Sequence, residues 1–339
     1  PRVIDGRITL DDIKLTSKDL KNIDKIYIVA CGTAYHAGVV GKYIIEKLAR
    51  IPVEVDVASE FRYRDPLISD RNLVIIISQS GETLDTLAAL REAKKRGARI
   101  MSIVNVVGSS IARESDDLLY TWAGPEIAVA STKAYNTQLS ALYLVALDLA
   151  YKNGQLDELT YNKMIEELKA VPDYVEKVLD CRDIIQKFAS ERFNAKSIFF
   201  IGRGLDYALS MEGSLKLKEI SYIHSEAYAG GELKHGTIAL IEKGTLVVCP
   251  MTQDTLMEKM ISNIKEVKAR GAVVMAITQE KNIEVDDVAD VVVRIPNVDS
   301  MIAPIVAVTS LQLFAYYMAV EKGCDVDKPR NLAKSVTVE

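Results

Sequence analysis

The stretch LVIIISQSGET, residues 73–83, decides the fold, because five apolar residues end abruptly in a polar turn that contains a glycine. An apolar run of this length predicts a strand that is buried on both faces of a parallel sheet. The next residues predict a helix to about Lys95, which Gly97 would terminate, and then a strand over residues 99–104. Strand, turn, helix and strand in this order predict an α/β fold with right-handed crossovers.

The same order begins twice in the chain. Residues 25–30 form an apolar run that ends at Cys31-Gly32-Thr33, and residues 196–201 form one that ends at Gly202-Arg203-Gly204. Matching Gly32 with Gly202 gives an offset of about 170 residues. An offset of this size predicts a duplicated domain rather than a short solenoid repeat.

The sequence therefore predicts two similar domains, each a doubly wound, flavodoxin-like parallel sheet flanked by helices. The patterns place the first domain at residues 18–157 and the second at residues 191–323. A segment over residues 1–17 precedes them, and a helical connection over residues 158–190 joins them, with helices expected around 157–170 and 173–190. A tail without periodicity, residues 324–339, follows.

The composition limits the classes of function. The 339 residues carry a formal net charge of -5 and no basic run, which argues against nucleic acid as a partner. Four scattered cysteines and three histidines lack the spacing of a disulfide framework or a metal site, so no metal is expected. We also expect no signal peptide and no apolar run that could span a bilayer, which together indicate a protein of the reducing cytoplasm.

Neither glycine turn is a dinucleotide-binding fingerprint. The first turn lacks the second glycine, and the second turn has Tyr207 where the third glycine should stand. No nicotinamide or other cofactor is therefore expected.

The turn Ser78-Gln79-Ser80-Gly81-Glu82-Thr83 is the sharpest functional signal in the chain. It ends a buried strand and opens a helix, which is where ligands bind in open α/β sheets. Free backbone N–H groups at the positive end of a helix favour an anion, and three hydroxyls add donors without charge. The alternative is an ordinary helix N-cap. Three hydroxyls and a glutamine exceed what a cap needs, so the turn predicts a phosphate site.

Other candidate residues also have plain structural explanations. Lys216 and Glu219 share one helix face, a spacing that is usual for a surface ion pair. His235 lies in a glycine-flanked loop, where an imidazole suits proton transfer but is more often inert. Ser131 could simply cap the helix that it opens, and Lys334 in the tail would by itself be an ordinary solvated lysine.

Taken in order, six motifs resemble one family. They are CGT, SQSGET, VASTKA, LKLKEISYIH, GELKHG and the terminal PRNLAKSVTVE, and they span nearly the whole chain. The chain resembles the isomerase half of glucosamine-6-phosphate synthase (glutamine–fructose-6-phosphate aminotransferase). In that family the isomerase half consists of two sugar isomerase (SIS) domains, each a parallel sheet flanked by helices.

The resemblance implies a role for each candidate residue. It implies a phosphate site formed by Thr33, Ser78, Gln79, Ser80 and Thr83. It implies that Val129 and Ser131 line the sugar and that Glu219 carries a proton between its first two carbons. It further implies ring opening assisted by His235 from the partner subunit, a Schiff base on Lys334, and support by Lys216 of charge on the sugar hydroxyls.

The resemblance also implies an activity and partners. The substrate would be fructose-6-phosphate, and the product glucosamine-6-phosphate or, without ammonia, glucose-6-phosphate. The chain would form a homodimer with shared active sites. A glutaminase domain, in the full-length protein or as a separate partner, would supply the ammonia.

Two features depart from the family pattern. Ala34 stands where the family usually has a phosphate-binding serine, so one donor is lost. The chain begins with Pro1 rather than with the cysteine nucleophile of a glutaminase half, so no glutaminase activity is expected of it. Two other functions remain open: a non-catalytic module that senses a phosphosugar, and a SIS deglycase or isomerase that acts on another sugar phosphate.

Overall fold

The structure, a computed structural model, describes residues 2–4 and 6–335, so Pro1 and the end of the terminal motif lie outside the described residues. The strands are β1 Arg2–Ile4, β2 Arg7–Thr9, β3 Lys25–Ala30, β4 Val53–Val57, β5 Asn72–Ser78, β6 Arg99–Val104, β7 Asp117–Tyr120, β8 Ser197–Gly202, β9 His224–Ala229, β10 Leu246–Pro250, β11 Val273–Gln279 and β12 Val291–Ile295. The α-helices are α1 Ser17–Leu20, α2 Gly32–Ala49, α3 Ala58–Phe61, α4 Leu84–Lys95, α5 Ser110–Glu114, α6 Lys133–Lys152, α7 Glu158–Val178, α8 Arg182–Arg192, α9 Leu205–Ser221, α10 Met257–Lys268 and α11 Ala303–Glu321. Short 3-10 turns lie at Leu179–Cys181, Leu233–His235, Thr237–Leu240, Asp254–Leu256 and Ile283–Asp287.

The chain divides into two compact units. The first unit contains the chain up to Ile127, Ser131–Ile165 and the chain from Ala333, and the second unit contains Ala128–Ala130 and Glu166–Leu332. The helical connection expected over residues 158–190 is thus divided between the units, and so is the tail expected over residues 324–339.

The helices of the connection differ from the sequence-based expectation. We expected a break near residues 170–173, but α7 continues through Pro172 to Val178, and α8 ends at Arg192. A proline inside a helix removes one main-chain hydrogen bond. The helix tolerates that loss here because its apolar side, including Val171 and Val178, is buried.

A five-stranded parallel sheet forms the centre of the first unit. Its strand order is β4-β3-β5-β6-β7, which is the doubly wound, flavodoxin-like order predicted from the sequence. All seven residues of β5 are buried, as expected for a central strand with helices on both faces. The two faces of β3 show these layers, since Ile28 lies against Gly41 of α2 whereas Val29 shares a core cluster with Leu90 of α4.

The second unit repeats this topology in the order β9-β8-β10-β11-β12. Lys25 and Ser197, the first residues of the equivalent strands β3 and β8, lie 172 positions apart. The same spacing matches Gly32, with φ of +53°, to Gly204, with φ of +57°, each at the start of the next helix. The predicted duplication is therefore confirmed. The match of Gly32 with Gly202 is wrong by two residues, because the second turn has a glycine at both ends.

Helix α11 contradicts one expectation from the sequence. It is long and apolar enough to span a membrane, whereas no such run was expected, although 72% of its most apolar window is buried in the protein. The helix packs against α8 and α9, where Leu311 lies against Gly213. Burial on nearly all sides explains an all-round apolar helix in a folded core. Its composition therefore reflects packing inside the second unit.

Candidate functional site

The predicted phosphate turn is an ordered loop in the first unit, between the end of β5 and the start of α4. The Ser78 hydroxyl accepts a hydrogen bond from the Gly81 N–H at 3.0 Å, and the Ser80 hydroxyl accepts one from the Glu82 N–H at 3.2 Å. Among the described residues, the Thr83 side chain makes no capping hydrogen bond to α4. The loop is therefore not the ordinary N-cap that was the alternative explanation.

Gly81 is required by the shape of this loop. Its φ is +68°, a conformation that other residues rarely adopt, and an added Cβ would lie only 2.1 Å from the Ser109 hydroxyl oxygen. The residues between Ser78 and Thr83 form this tight turn at the carboxyl end of β5. It therefore forms the kind of strand-to-helix loop that cradles anions.

The C-terminal tail folds onto the same unit. The Lys334 ammonium donates to Glu126 Oε2 at 2.6 Å and to the Ser131 hydroxyl at 3.1 Å. The next residue, Ser335, places its hydroxyl 3.3 Å from that of Ser80, which lies in the loop over residues 78–83. We call this loop the anion loop after the role predicted for it. Three regions that are distant in the sequence thus meet, and Lys334 is not an ordinary solvated lysine.

Glu126, which contacts Lys334, is a residue of this group that the sequence analysis did not predict. Its side chain is only 5% exposed, and it also accepts hydrogen bonds from the N–H groups of Thr132, at 2.9 Å, and Ala134, at 3.3 Å. Burial acts to raise the pKa of Glu126, but the hydrogen bond from Lys334 and those from the backbone outweigh it and hold the pKa below its ordinary value. The carboxylate is therefore charged at neutral pH. A signal existed, because Glu126 lies between the end of β7 and the start of α6, at the same sheet edge as the anion loop.

A cleft of about 490 Å³ opens beside this group of residues. It is lined by Gln79, Asn105, Val106, Val107, Trp122, Gly124, Pro125 and Glu126. The cleft thus combines one residue of the anion loop with the carboxylate that holds Lys334. Its volume is in the range that small-molecule sites occupy.

In the second unit, α9 carries a group of three charges, two of them buried. The Lys216 ammonium forms ion pairs with Glu219 and, at 3.5 Å, with Glu212. The two carboxylates lie about one helical turn after and one turn before Lys216 in the sequence. The side chains of Lys216 and Glu212 are 2% and 0% exposed, whereas that of Glu219 is 22% exposed. The alternative of a surface ion pair is therefore wrong. Glu212 was missed because helical spacing alone does not reveal which face is buried.

The pair of carboxylates determines the charge on Lys216. Burial alone would lower the pKa of Lys216, but the negative charges of Glu212 and Glu219 outweigh it and raise the pKa above its ordinary value. Lys216 is therefore an ammonium at neutral pH. An ammonium suits electrostatic support and does not suit nucleophilic attack.

The remaining predicted residues, His235, Thr33 and Val129, lie in both units. His235 ends the 3-10 turn Leu233–His235 and is exposed. The preceding glycines are packed and not open, since an added Cβ would lie 2.6 Å from Asn263 Oδ1 at Gly230 and 2.8 Å from Arg203 Nη2 at Gly231. Thr33 lies in the first turn of α2 in the first unit, and Val129 belongs to the second unit, where its N–H donates to the Asp327 carbonyl at 3.0 Å.

The sequence profile of the SIS domain family matches residues 19–148 and 193–322. A glutamine–fructose-6-phosphate aminotransferase [isomerizing] of Caldanaerobacter subterraneus subsp. tengcongensis is 65% identical over 335 residues, which are 99% of this chain and 55% of that protein. The chain therefore spans about half the length of the curated relatives that it matches.

Solved structures resemble the whole chain. The C-terminal domain of glucosamine-fructose-6-phosphate aminotransferase from Francisella tularensis has a TM-score of 0.91 and 43% identity, covering 96% of this chain and 92% of that one. Glucosamine-6-phosphate deaminase from Thermotoga maritima has a TM-score of 0.74 and 27% identity, covering 94% of this chain and 93% of that one.

The buried charges of α9 generate a prediction about stability. Lys216→Met should lower the free energy of unfolding by about 3–5 kcal/mol, because it leaves two carboxylates without their buried counter-charge. Lys169→Met is the matched control, because Lys169 forms an exposed i,i+3 ion pair with Glu166 at 2.7 Å. The control should cost less than about 1 kcal/mol. Urea denaturation at pH 7.5 measures the free energy of unfolding of both variants. Equal decreases would contradict the conclusion that Lys216 is a buried counter-charge.

Proposed function

The chain belongs to the SIS domain family, among the C-terminal domains of glucosamine-fructose-6-phosphate aminotransferases, and on this premise we propose that it isomerises a ketose phosphate to an aldose phosphate. The proposed substrate is fructose-6-phosphate. With ammonia the proposed product is glucosamine-6-phosphate and water, and without ammonia it is glucose-6-phosphate. The proposed setting is the cytoplasm, with ammonia supplied by a glutaminase domain.

One observation carries the proposal: the tail brings Lys334 to Ser131 and Glu126 while Ser335 reaches the anion loop at Ser80. A ketose phosphate needs a cradle for its phosphate and an amine near its carbonyl carbon. The first unit offers both groups, and a cleft lies beside them. A phosphosugar sensor would need the loop but would have no use for a lysine held in this way.

The anion loop is the proposed phosphate site, with Thr33, Ser78, Gln79, Ser80 and Thr83 as its donors. Hydroxyl and backbone donors at the start of α4 bind an oxyanion without carrying a charge themselves. The substrate phosphate would be held by local geometry, since the chain as a whole has a net charge of -5. Val129 and Ser131 are proposed to line the sugar.

This role of the loop can be tested by calorimetry. Ser80→Ala combined with Thr83→Ala should weaken binding of fructose-6-phosphate by about tenfold or more, because two donors to the phosphate are lost. Unphosphorylated fructose should bind equally poorly before and after the change. An unchanged dissociation constant for fructose-6-phosphate would contradict the proposal.

The proposed covalent step takes place on Lys334. Its neutral amine would attack C2 of the open-chain ketose, and loss of water would leave a Schiff base. Before attack the ammonium must release a proton, and Glu126 is the carboxylate that contacts it. Ammonia would then replace the lysine at C2, which frees the enzyme amine.

The proposed proton carrier is Glu219. Isomerisation removes a proton from C1 and delivers one to C2, and one carboxylate can serve both carbons of an enediol-like intermediate. Its carboxylate is the partly exposed one of the buried group, whereas Glu212 is fully buried. The adjacent Lys216 ammonium would stabilise negative charge that develops on the sugar oxygens.

Chemical trapping tests the assignment of Lys334. Borohydride reduction in the presence of fructose-6-phosphate should leave a sugar adduct on the peptide that contains Lys334, and Lys334→Arg should leave none. Glu126→Gln should reduce the yield at a fixed time severalfold, because the amine loses its proton acceptor and its main contact. An adduct on Lys216 in mass spectrometry, or no adduct, would show that the assignment is wrong.

His235 is proposed to assist ring opening in the active site of a neighbouring subunit. Its side chain is exposed, and its turn is packed at Gly230 and Gly231, on the preceding side, but open at Gly236, which follows it. A two-fold homodimer would then contain two equivalent composite sites.

Subunit mixing tests this shared site. Glu219→Gln and His235→Ala should each be nearly inactive as homodimers. A heterodimer of the two would have one site that lacks both groups and one complete site, so about half of the wild-type activity should return. Native mass spectrometry verifies that heterodimers form, and an inactive mixture would place His235 in its own subunit's site or outside catalysis.

A second candidate function is removal of ammonia from an amino sugar phosphate. The likeness to a glucosamine-6-phosphate deaminase, at 27% identity over 94% of this chain, favours it. The two directions can be distinguished by supplying fructose-6-phosphate with ammonium, or glucosamine-6-phosphate alone, and following both sugars. Net formation of glucosamine-6-phosphate supports the main proposal.

A further inference from the structure

A buried acidic group in the second unit has no part in the proposed chemistry. Asp206 lies in the first turn of α9 and is only 1% exposed. Its Oδ1 accepts a hydrogen bond from the Thr252 hydroxyl at 2.7 Å. Its Oδ2 accepts hydrogen bonds from the N–H groups of Thr252, at 2.7 Å, and Gln253, at 3.3 Å. Three neutral donors from the loop after β10 thus surround one carboxylate.

The duplication shows what this loop corresponds to in the first unit. In the sheets, Phe200 of β8 pairs with Val248 of β10, and the equivalent residue of β3, Ile28, pairs with Ile75 of β5. Continuing along both strands places Thr252 and Gln253 where the first unit has Gln79 and Ser80, the centre of the anion loop.

The spacing between the units also identifies the counterpart of the carboxylate. The offset that matches Gly32 with Gly204 matches Ala34 with Asp206. The methyl group of Ala34 in the first unit therefore stands where the second unit has the Asp206 carboxylate, which contacts the loop after β10.

We propose that the second unit has kept the oxyanion cradle of the duplicated fold and that the Asp206 carboxylate fills it as an internal ligand. The second unit would therefore take no sugar phosphate of its own. Removal of the side chain should expose a site for a small oxyanion, of the class of formate and phosphate.

The loop is built to hold this internal ligand in place. The Gln279 side chain donates to the Thr252 carbonyl at 3.0 Å, and that of Gln253 donates to the Ser300 carbonyl at 2.9 Å. Thr252 and Asp206 are buried, whereas their counterparts in the first unit, Gln79 and Ala34, are partly exposed; Gln253 and its counterpart Ser80 are both partly exposed. The cradle of the second unit is thus more buried around Thr252 than that of the first unit is around Gln79.

The carboxyl is charged under ordinary conditions. Burial raises the pKa of Asp206 to about 6, against the lowering effect of its hydrogen bonds with Thr252 and Gln253. At pH 7.5 the group is therefore an anion.

The test removes the carboxylate and supplies a free one. Asp206→Ala is made in the Ser80→Ala, Thr83→Ala background, so that the first loop is weakened as an oxyanion site. Melting temperatures are measured at pH 7.5 in sodium formate and in sodium chloride of equal ionic strength. Asp206→Asn in the same background is the matched control, because its amide still fills the cradle. Asp206→Ser serves as a second variant if the alanine protein does not fold.

Formate should raise the melting temperature of the alanine or serine variant by several degrees more than chloride does, and should leave the asparagine variant unchanged. Equal effects of formate and chloride on the alanine or serine variant would overturn the proposal. In the wild-type chain, calorimetry should find one fructose-6-phosphate per chain, and two would also overturn it.

The inference rests on the proposed function only for the identity of the first loop as a phosphate site. The two can fail separately. If Ser80→Ala with Thr83→Ala leaves fructose-6-phosphate binding unchanged, the first loop loses its assignment. The formate comparison would still decide whether Asp206 occupies an oxyanion cradle.

Discussion

Strands that are buried on both faces determine where this chain can place polar groups. Along β5 every residue is buried, so charged and hydroxyl side chains have no place until the strand ends at Ser78. All five strands of each sheet are parallel, and their carboxyl ends therefore share one edge. The anion loop, Glu126 and Ser131 in the first unit all follow from this constraint, because each lies between a strand's end and the next helix.

Lys216 and Lys334 both contact carboxylates, but their surroundings make them chemically different. Lys216 lies between Glu212 and Glu219 at 2% exposure, where two negative charges keep it an ammonium. Lys334 contacts the carboxylate of Glu126 at 25% exposure, next to a cleft. The first environment favours a fixed positive charge. The second leaves the amine partly exposed beside the cleft, as its proposed role as a nucleophile requires.

The duplication has produced two units that share one topology but differ in the side chains of the loops at the same sheet edge. The loop after β5 is rich in hydroxyls, whereas the loop after β10 donates its hydrogen bonds to the buried carboxylate of Asp206. Among the described residues, the buried charged side chains of the second unit, those of Asp206, Glu212 and Lys216, all lie on α9, the helix that follows its first strand. A duplicated fold can diverge in this way because the edge loops contribute little to the core, which is formed by the strands and the helix faces against them.

Short-range apolar patterns and turns that require glycine were enough to predict the α/β class, the duplication and the turn between β5 and α4, and the six motifs could be read directly from the residues. It could not determine the burial of Lys216, since residues three and four positions apart share a helix face whether that face is exposed or covered. It missed Glu126 and Asp206 for a related reason. Each acts through contacts with residues that are distant in the chain, Lys334 in one case and Thr252 in the other. Only the tertiary structure brings such pairs within hydrogen-bonding distance, because sheet order and tail position decide which loops meet.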